Sequence, residues 1–244
     1  MNIPILHPYS EQFGHVAVAR TALERRWLNW CVRWQCWVLR WRAGIGGVMK
    51  RAFDIVGSLA FLLVFSPLYL VLAILVRLEG RGPVLFGQTR VGRFGEEFQM
   101  HKFRSMRLNA EAEFEKLLAR NQHADGVTFK MKNDPRITRV GKWLRRFSLD
   151  ELPQFFDVLK GDMSLVGPRP PTPREVLLYT PADRRRLAVK PGLTCFWQVG
   201  GRSNIDFSGQ VKLDVEYIET AGFWVDIKIL AQTVRAVVSG NGAC

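Results

Sequence analysis

Cysteine and histidine are both scarce in this chain of 244 residues, which holds four of each. The cysteines are Cys31, Cys36, Cys195 and Cys244, and they form no CxxC pair. The Cys31–Cys36 spacing fits no common zinc pattern, so we expect free thiols in a reducing compartment. His101 has no partner histidine at ligand spacing, so the sequence gives it no metal role.

The sequence also lacks a signal peptide, internal repeats and low-complexity tracts. Residues 1–20 have neither the basic start nor the apolar stretch of a signal peptide, and they predict a loosely ordered segment. The net charge is +13 and the pI is near 10.1, which points to a polyanionic partner. No zinc-finger, basic-zipper or RNA-recognition signature is present, so anionic lipid or a phosphorylated metabolite is favoured over nucleic acid.

Charge is missing from the 22 positions between Ile55 and Val76. At about 1.5 Å per residue, such a run can cross a hydrocarbon core of about 30 Å. Ser66-Pro67 stands at its centre, where proline removes a backbone hydrogen bond and kinks a helix. Both flanks are basic, and positive charge favours the cytoplasmic side of a membrane. The pattern therefore favours a kinked re-entrant helix, with a straight span and a buried soluble-core helix as the alternatives.

Tryptophan recurs between Trp27 and Trp41 at alternating spacings of three and four residues. On a helix these side chains fall within an arc of roughly 80°, beside a stripe of arginines. Both residue types favour the membrane interface, so the pattern predicts an interfacial amphipathic helix. A core-facing helix or a coiled-coil seam is the alternative.

Beyond Gly80 the composition is that of a soluble domain. Hydrophobic patterning and turn residues predict short strands, short helices and a loop. The predicted strands are Val84–Phe86 and Phe98–Met100 around a turn at Arg90–Gly95. The predicted helices are Asn109–Arg120, Arg174–Leu178, Asp183–Val189 and Trp224–Val238, and the predicted mobile loop is Asn121–Asp134. Lys190–Thr194 and Trp197–Arg202 predict a turn–strand–turn that shapes a sugar or base pocket or serves as scaffold.

Two adjacent carboxylates, Asp150 and Glu151, lie among arginines. Cations beside a carboxylate suit chemistry on a phosphate, because they neutralise phosphoryl oxygens while the carboxylate attacks or holds a metal. The stretch from Ser148 to Glu151 also fits a helix capping box. Pro153 disfavours that alternative, since proline at the fifth helical position spoils a clean cap.

Candidate phosphate-binding cations lie on both sides of the acidic pair. Lys102 and Arg104 alternate along an apparent strand and project from one face, where they hold a diphosphate or form a solvated edge. Arg145 precedes the pair. Arg169 is fixed between Pro168 and Pro170, and the planar fork of arginine suits phosphate.

These stretches resemble the bacterial polyprenyl-phosphate glycosyl-1-phosphate transferases of the monotopic superfamily, the initiating sugar transferases of exopolysaccharide, capsule and O-antigen synthesis. The resemblance covers about residues 48–238 and rests on Lys50–Asp54, Ser66-Pro67, Lys102–Met106, Asp134–Thr138, Ser148–Gln154, Lys160–Pro170, Lys190–Thr194 and Leu213–Ile218. It implies a helix-dominated α+β fold in a monotopic membrane protein. The predicted segments are an N-terminal extension (1–47), a re-entrant membrane helix (48–82) and a cytosolic catalytic domain (83–244).

The resemblance implies a phosphoglycosyl transferase that moves a sugar 1-phosphate from a UDP-sugar to undecaprenyl phosphate and releases UMP. Asp150 would be the nucleophile that forms an aspartyl-phosphosugar. Glu151 would act as acid/base or help to place Mg²⁺, so both acids are expected metal ligands. Lys102, Arg145 and Arg169 would hold the diphosphate, with Arg104 as a further candidate on the same strand.

The implied location is the inner, cytoplasmic membrane of a bacterium, with the catalytic domain on the cytoplasmic face and anionic lipid as a further partner. Whether the protein forms a homo-oligomer is left open. Many polysaccharide-type relatives carry four membrane spans and a further domain before the catalytic part, where this chain has its Trp-rich segment.

Details of the sugar pocket depart from the family pattern. Cys195 stands where relatives usually have glycine, while Phe196–Val199 and Gly201-Arg202 place the glucose- or galactose-type enzymes nearest. A catalytically idle membrane scaffold is the alternative from another functional class. The intact Asp150-Glu151 pair and Arg169 disfavour it, because a scaffold needs neither.

Overall fold

The computed structural model describes residues 46–117, 127, 131, 134–200 and 205–239. The chain divides into two compact units, Met1–Lys50 and Arg51–Cys244. Apart from the start of the first helix, all described residues belong to the second unit. The predicted Trp-rich helix and most of the predicted loop Asn121–Asp134 lie outside the described residues. The predicted segment boundaries at 47/48 and 82/83 stay predictions.

Helices dominate the described residues, and two small sheets accompany them, which confirms the predicted mixture of α and β structure. In chain order the elements are α1 (Gly46–Val64), α2 (Ser66–Glu79), β1 (Leu85–Val91), β2 (Glu97–Phe103), α3 (Ala110–Leu117), α4 (Arg139–Arg146), α5 (Gln154–Lys160), β3 (Ser164–Val166), α6 (Pro173–Leu177), β4 (Gly192–Thr194), α7 (Phe196–Gly200), α8 (Phe207–Thr220) and α9 (Phe223–Ser239). The described residues also form 3₁₀ turns at Arg93–Gly95, Leu149–Glu151 and Asp183–Ala188.

Helices α1 and α2 are the two halves of the uncharged run, and they are bent by 66° relative to each other. Pro67 lies in the first turn of α2. Backbone N–H groups in a first turn have no partner within their own helix, so the missing N–H of proline costs no hydrogen bond there. The Ser66 hydroxyl donates to the Leu63 carbonyl at 2.9 Å across the bend. The predicted kink is therefore confirmed. Within the described residues, no single helix has the length and apolar composition of a membrane span, whereas the bent pair meets both criteria together.

Two polar side chains of α1, Arg51 and Asp54, bind to α5 and β3. Arg51 donates to the carbonyls of Val158 and Leu159, in the last turn of α5, at 2.6 and 2.7 Å. The buried carboxylate of Asp54 accepts from the Ser164 hydroxyl and from the Leu165 N–H, both at 3.1 Å. These bonds explain the first motif of the family resemblance.

Strands β1 and β2 form an antiparallel hairpin, and β3 pairs with β4 in parallel. The prediction that the turn begins at Arg90 was wrong, because Arg90 and Val91 still belong to β1. The strand continues because it bonds to the segment after Arg169. Arg90 donates to the Pro170 carbonyl at 3.0 Å, and the Val91 N–H donates to the Pro171 carbonyl at 2.9 Å.

The hydrophobic core lies between α2, α4, α5, β3 and α9, where the side chains of Leu72, Leu144, Val158, Met163 and Ile229 are fully buried. The predicted helices that became α3, α6 and α9 are confirmed, and the one at residues 183–189 is a 3₁₀ turn. The predicted turn after Cys195 was wrong, since Phe196–Gly200 forms α7. Trp197 is only 8 % exposed, and its burial explains this helix. Local turn residues do not show which side chains the fold buries.

Candidate active site

The acidic pair lies on the 3₁₀ turn Leu149–Glu151, which joins α4 to α5. Ser148 precedes it in the left-handed conformation, with φ 55° and ψ 23°, and its side chain makes no capping bond. The capping-box alternative is therefore not what the structure has. A serine in this conformation costs about 1 kcal/mol or more, and such strain concentrates at functional sites.

Lys102 makes the contact that defines this site. It lies on β2, and its ammonium donates to Glu151 Oε1 at 2.6 Å, across 49 residues of sequence. The two side chains are 23 % and 30 % exposed, so solvent reaches the pair. Asp150 beside them is 7 % exposed. The predicted neighbourhood of Lys102, Asp150 and Glu151 is thus present.

The two carboxylates differ in their pKa. Burial raises the pKa of Asp150, Lys102 opposes that shift, and the neighbouring charge of Glu151 adds to it. Burial also acts to raise the pKa of Glu151, but the charge and hydrogen bond of Lys102, followed by the charge of Arg169, bring it below its usual value. Glu151 is therefore the acid that favours its ionised form. Burial disfavours the ionised form of Asp150, and a bound cation would stabilise that form.

Arg169 is placed by a tight backbone crossing. The Gly192 N–H donates to the Pro168 carbonyl at 2.9 Å, and a Cβ added at Gly167 would lie 2.6 Å from the Lys190 carbonyl. Only glycine allows this approach. The Arg169 guanidinium lies 3.6 Å from Glu175 and remains one third exposed. The sequence predicted a rigid backbone at Arg169. The structure shows that the backbone just before Arg169 packs against the start of β4.

One cavity of about 1240 Å³ joins these groups to an apolar wall. At its charged end it is lined by Lys102, Arg145, Asp150, Glu151 and Arg169. Its apolar wall comes from α1, α2 and α9 and includes Phe53, Phe61, Phe65, Leu68, Leu230 and Val234. Arg145, on α4, lowers the pKa of Asp150 by its charge. The cavity therefore suits a molecule with an anionic head and a long apolar part.

Arg104 also lines the cavity, but its guanidinium is bonded elsewhere. It donates to the carbonyls of Val76, Gly80 and Arg81 at 3.1, 2.8 and 3.1 Å. These acceptors lie at and beyond the C-terminal end of α2, so Arg104 caps the C-terminal end of that helix. Its predicted part in substrate binding stays a prediction, while Lys102, two residues earlier, contacts Glu151.

Arg90 is a cation of the site that the sequence analysis missed. Its side chain is 6 % exposed and donates to the Pro170 carbonyl and to Gln88, while its Nε has no hydrogen-bond partner. Burial, followed by the charge of Arg169, lowers the pKa of Arg90 to about 10. A strand that continues through Arg90 to the apolar Val91 would have indicated that Arg90 is buried. The assignment of Arg90 to the turn concealed this pattern.

The described residues contain no group of three or more histidine, cysteine, aspartate and glutamate side chains placed to hold a metal ion. Mg²⁺ needs fewer protein ligands, because it usually binds through one or two carboxylates together with substrate phosphates. Asp150 and Glu151 form such a donor set, and burial of Asp150 makes a cation favourable there. The residues present therefore fit Mg²⁺ in the presence of a phosphorylated substrate.

Comparison with known proteins agrees with this chemistry. A model of the family described as bacterial sugar transferase matches residues 45–240. The galactosyl transferase CpsE of Streptococcus agalactiae serotype III is 50% identical over 197 residues, covering 80% of this chain and 43% of the relative. The undecaprenyl-phosphate galactose phosphotransferase of Salmonella typhimurium is 46% identical over 198 residues, covering 80% of this chain and 41% of the relative.

This chain thus spans less than half the length of those two relatives. A relative of similar size is the exopolysaccharide production protein ExoY of Rhizobium meliloti, which is 39% identical over 202 residues, covering 82% of this chain and 89% of the relative. These matches confirm the family resemblance drawn from the motifs. This chain belongs to the bacterial sugar transferase family.

Proposed function

We propose that this protein transfers a sugar 1-phosphate from a UDP-sugar to undecaprenyl phosphate, through an aspartyl-phosphosugar on Asp150, and releases UMP. The observation that carries the proposal is the buried carboxylate of Asp150 beside the Lys102–Glu151 pair, at the charged end of a cavity with an apolar wall. Relatives are named as undecaprenyl-phosphate phosphotransferases of galactose and of glucose, which agrees with this chemistry.

In the first displacement, an Asp150 oxygen attacks the phosphorus that carries the sugar. The bond from that phosphorus to the bridging oxygen breaks, and UMP leaves with the electron pair. Burial of Asp150 removes water from its carboxylate and strengthens it as a nucleophile. Lys102 and Arg169 neutralise the charge that develops on the phosphoryl oxygens.

In the second displacement, a phosphate oxygen of undecaprenyl phosphate attacks the same phosphorus and the bond to Asp150 breaks. The product is the lipid diphosphate-linked sugar, and Asp150 returns to its carboxylate form. Glu151, whose pKa Lys102 and Arg169 hold low, acts in its ionised form rather than as a proton donor. Asp150 and Glu151 would hold Mg²⁺, which, when bound, neutralises the diphosphate of the donor.

We also propose that α1 and α2 enter and leave the cytoplasmic leaflet of the inner membrane as one re-entrant unit. Both helices expose large apolar side chains, including Val56, Leu63, Val64, Leu70 and Leu78. An apolar surface of this extent is typical of a contact with lipid or with another apolar partner. The apolar wall of the cavity continues this surface and gives the lipid chain of the acceptor a path to Asp150.

The test is UMP release in detergent, with Mg²⁺ and undecaprenyl phosphate, across UDP-glucose, UDP-galactose and N-acetylated UDP-sugars. Wild-type protein is expected to release UMP with one of these donors. Asp150→Asn is expected to lower that rate by a factor of about 10³ or more, because the nucleophile is lost. Membrane association should persist in the variant, which separates an enzyme from a scaffold.

The matched control is Asp162→Asn. Asp162 is partly exposed, lies 3.1 Å from Lys160 and does not line the cavity, so the variant should release UMP at the wild-type rate. Equal UMP release from wild type and Asp150→Asn would contradict the proposed nucleophile. Release from neither, in folded protein and with every donor, would favour the scaffold.

A further inference from the structure

Asp157, on α5, is a fully buried carboxylate that does not line the cavity. Both of its oxygens bind one residue, His101. Oδ2 accepts from the His101 backbone N–H at 2.8 Å, and Oδ1 lies 2.6 Å from His101 Nδ1. This two-point contact connects residues that are 56 positions apart in the sequence. A buried acid with two such bonds holds its partner in one orientation.

The contact joins the two elements that carry the Lys102–Glu151 bond. His101 directly precedes Lys102 on β2, and Asp157 lies on α5, which begins three residues after Glu151. The backbone of β2 and the helix that follows the acidic turn are therefore fixed to each other one residue from Lys102. A shift of either element would change the 2.6 Å distance between the Lys102 ammonium and Glu151.

The hairpin itself gives His101 little support. Its partner on β1 is Gly87, which has no side chain to pack against it. The His101 N–H donates to Asp157 instead of to β1, so the carboxylate occupies the place that a third strand would take. The position of Lys102 along β2 therefore depends on an acid outside the sheet.

Burial raises the pKa of Asp157. The hydrogen bonds and charge of His101, and the charge of Lys160 at the end of α5, oppose that shift. The His101 side chain is 36 % exposed, and its Nδ1 faces Asp157. Donation from Nδ1 fixes the ring in both its neutral and its protonated form.

We propose that His101 and Asp157 are positioning residues that hold Lys102 against Glu151 during sugar-phosphate transfer. The inference rests on the proposed function for its kinetic part only. A role in stability alone would lower the melting temperature of the variants and leave the contact between Lys102 and Glu151 unchanged. A positioning role acts through Lys102, and this difference decides the experiments.

The first experiment is a double-mutant cycle on UMP release. His101→Ala is expected to lower kcat roughly 10- to 100-fold, as small misplacements of a catalytic group do. In a Lys102→Ala background the same change should have no further effect, because the group being positioned is gone. His101→Asn should restore most of the rate, since its amide can donate to Asp157. Independent, multiplying losses would overturn the inference.

The matched control for the cycle is Gln99→Ala. Gln99 lies two residues earlier on β2, is exposed, and donates to the Thr89 hydroxyl at 2.8 Å on the other strand of the hairpin. Its loss perturbs the same strand without touching Asp157. An unchanged rate is expected, and a loss equal to that of His101→Ala would overturn the inference.

The second experiment needs no turnover. The Lys102 amine is labelled with an amine-reactive reagent in detergent, and mass spectrometry compares its labelling rate with that of the more exposed Lys160. Lys102 is 23 % exposed and is held by Glu151, so folded His101→Ala should label faster at Lys102 than wild type, and His101→Asn should label at close to the wild-type rate. Equal labelling of Lys102 in wild type and folded His101→Ala would overturn the inference. If wild-type protein released no UMP, the proposed function would fail and this labelling would still decide the positioning role.

Discussion

The charged end of the cavity and the bent helix pair distribute polarity in opposite ways. At the charged end, Asp150 is 7 % exposed and Arg90 is 6 % exposed. On the helix pair, Leu63 is 67 % and Leu78 is 78 % exposed. Most water-soluble proteins show the reverse, with aliphatic side chains inside and charge outside. The proposed acceptor, undecaprenyl phosphate, has the same contrast between a charged head and an apolar tail.

The two regions share contacts although they differ in polarity. The ring of Phe61 on α1 stacks on Phe155 of α5, with centroids 4.0 Å apart and planes 5° apart. The Tyr69 hydroxyl on α2 donates to the Leu152 carbonyl, one residue after Glu151. The apolar helices therefore support the segment that carries the acidic pair. Damage to one region should be measurable in the other.

The strongest test of the contrast is membrane topology, since its outcome is all or none. We expect Gly47→Cys and Gly80→Cys to react with an impermeant maleimide from the same, cytoplasmic side, in a background with Cys31, Cys36 and Cys244 changed to serine. Both positions leave open space for a side chain, whereas one at Gly82 would meet Arg104. Ser66→Cys at the bend should be protected. Labelling of positions 47 and 80 from opposite sides would contradict a re-entrant pair.

At the charged end, Lys102→Met should lower UMP release by about 10²- to 10³-fold, as loss of one charge-stabilising donor does. Lys102 lowers the pKa of both acids, so its removal raises them and leaves a smaller ionised fraction at a given pH. The acid limb of the pH–rate profile should therefore move to higher pH. Arg145→Met should move it less, because Arg145 is the weaker influence on Asp150. An unmoved limb in Lys102→Met would contradict this account.

Where α1 meets the core, Asp54→Ala should lower the free energy of unfolding by about 1–3 kcal/mol, because it leaves the Leu165 N–H and the Ser164 hydroxyl without that acceptor. Thermal or denaturant unfolding in detergent measures the loss. Asp162→Ala, which removes a surface ion pair with Lys160, should stay within about 0.5 kcal/mol of wild type. Equal losses in the two variants would show that burial of Asp54 adds nothing.

The smallest expected effect concerns the N-terminal extension. Deletion of residues 1–44 should weaken membrane or detergent association and leave UMP release in place, because the tryptophans and arginines between Trp27 and Trp41 suit the interface. Flotation with vesicles measures the partitioning. Unchanged partitioning would count against an interfacial role for this segment.

Local sequence patterns were enough to predict the bend and the helices α3, α6 and α9, but they did not predict α4, α5 or α8. Pro67 and the absence of charge act within a few residues, so their effect can be deduced without knowing the fold. Three of the cavity's cations were also predicted, since Lys102, Arg145 and Arg169 lie with the acidic pair in one cavity. Here the family resemblance contributed what spacing alone left open.

Long-range contacts could not be predicted from such patterns. Arg90 was assigned to a turn because its bond to Pro170 crosses 80 residues of sequence. α7 forms where Trp197 is buried, and burial depends on the whole fold. His101 was considered only as a metal ligand, and its bond to Asp157 appears once β2 lies beside α5.

The bonds that Arg51 and Asp54 make to α5 and β3 have a practical meaning for protein engineering. Cutting away the apolar helices α1 and α2 would damage the rest of the fold, because the cut would expose the last carbonyls of α5 and remove an acceptor of Ser164. Solubility has to be introduced by exchanging outward side chains such as Leu63, Leu70 and Leu78 for polar ones while α1 and α2 are kept.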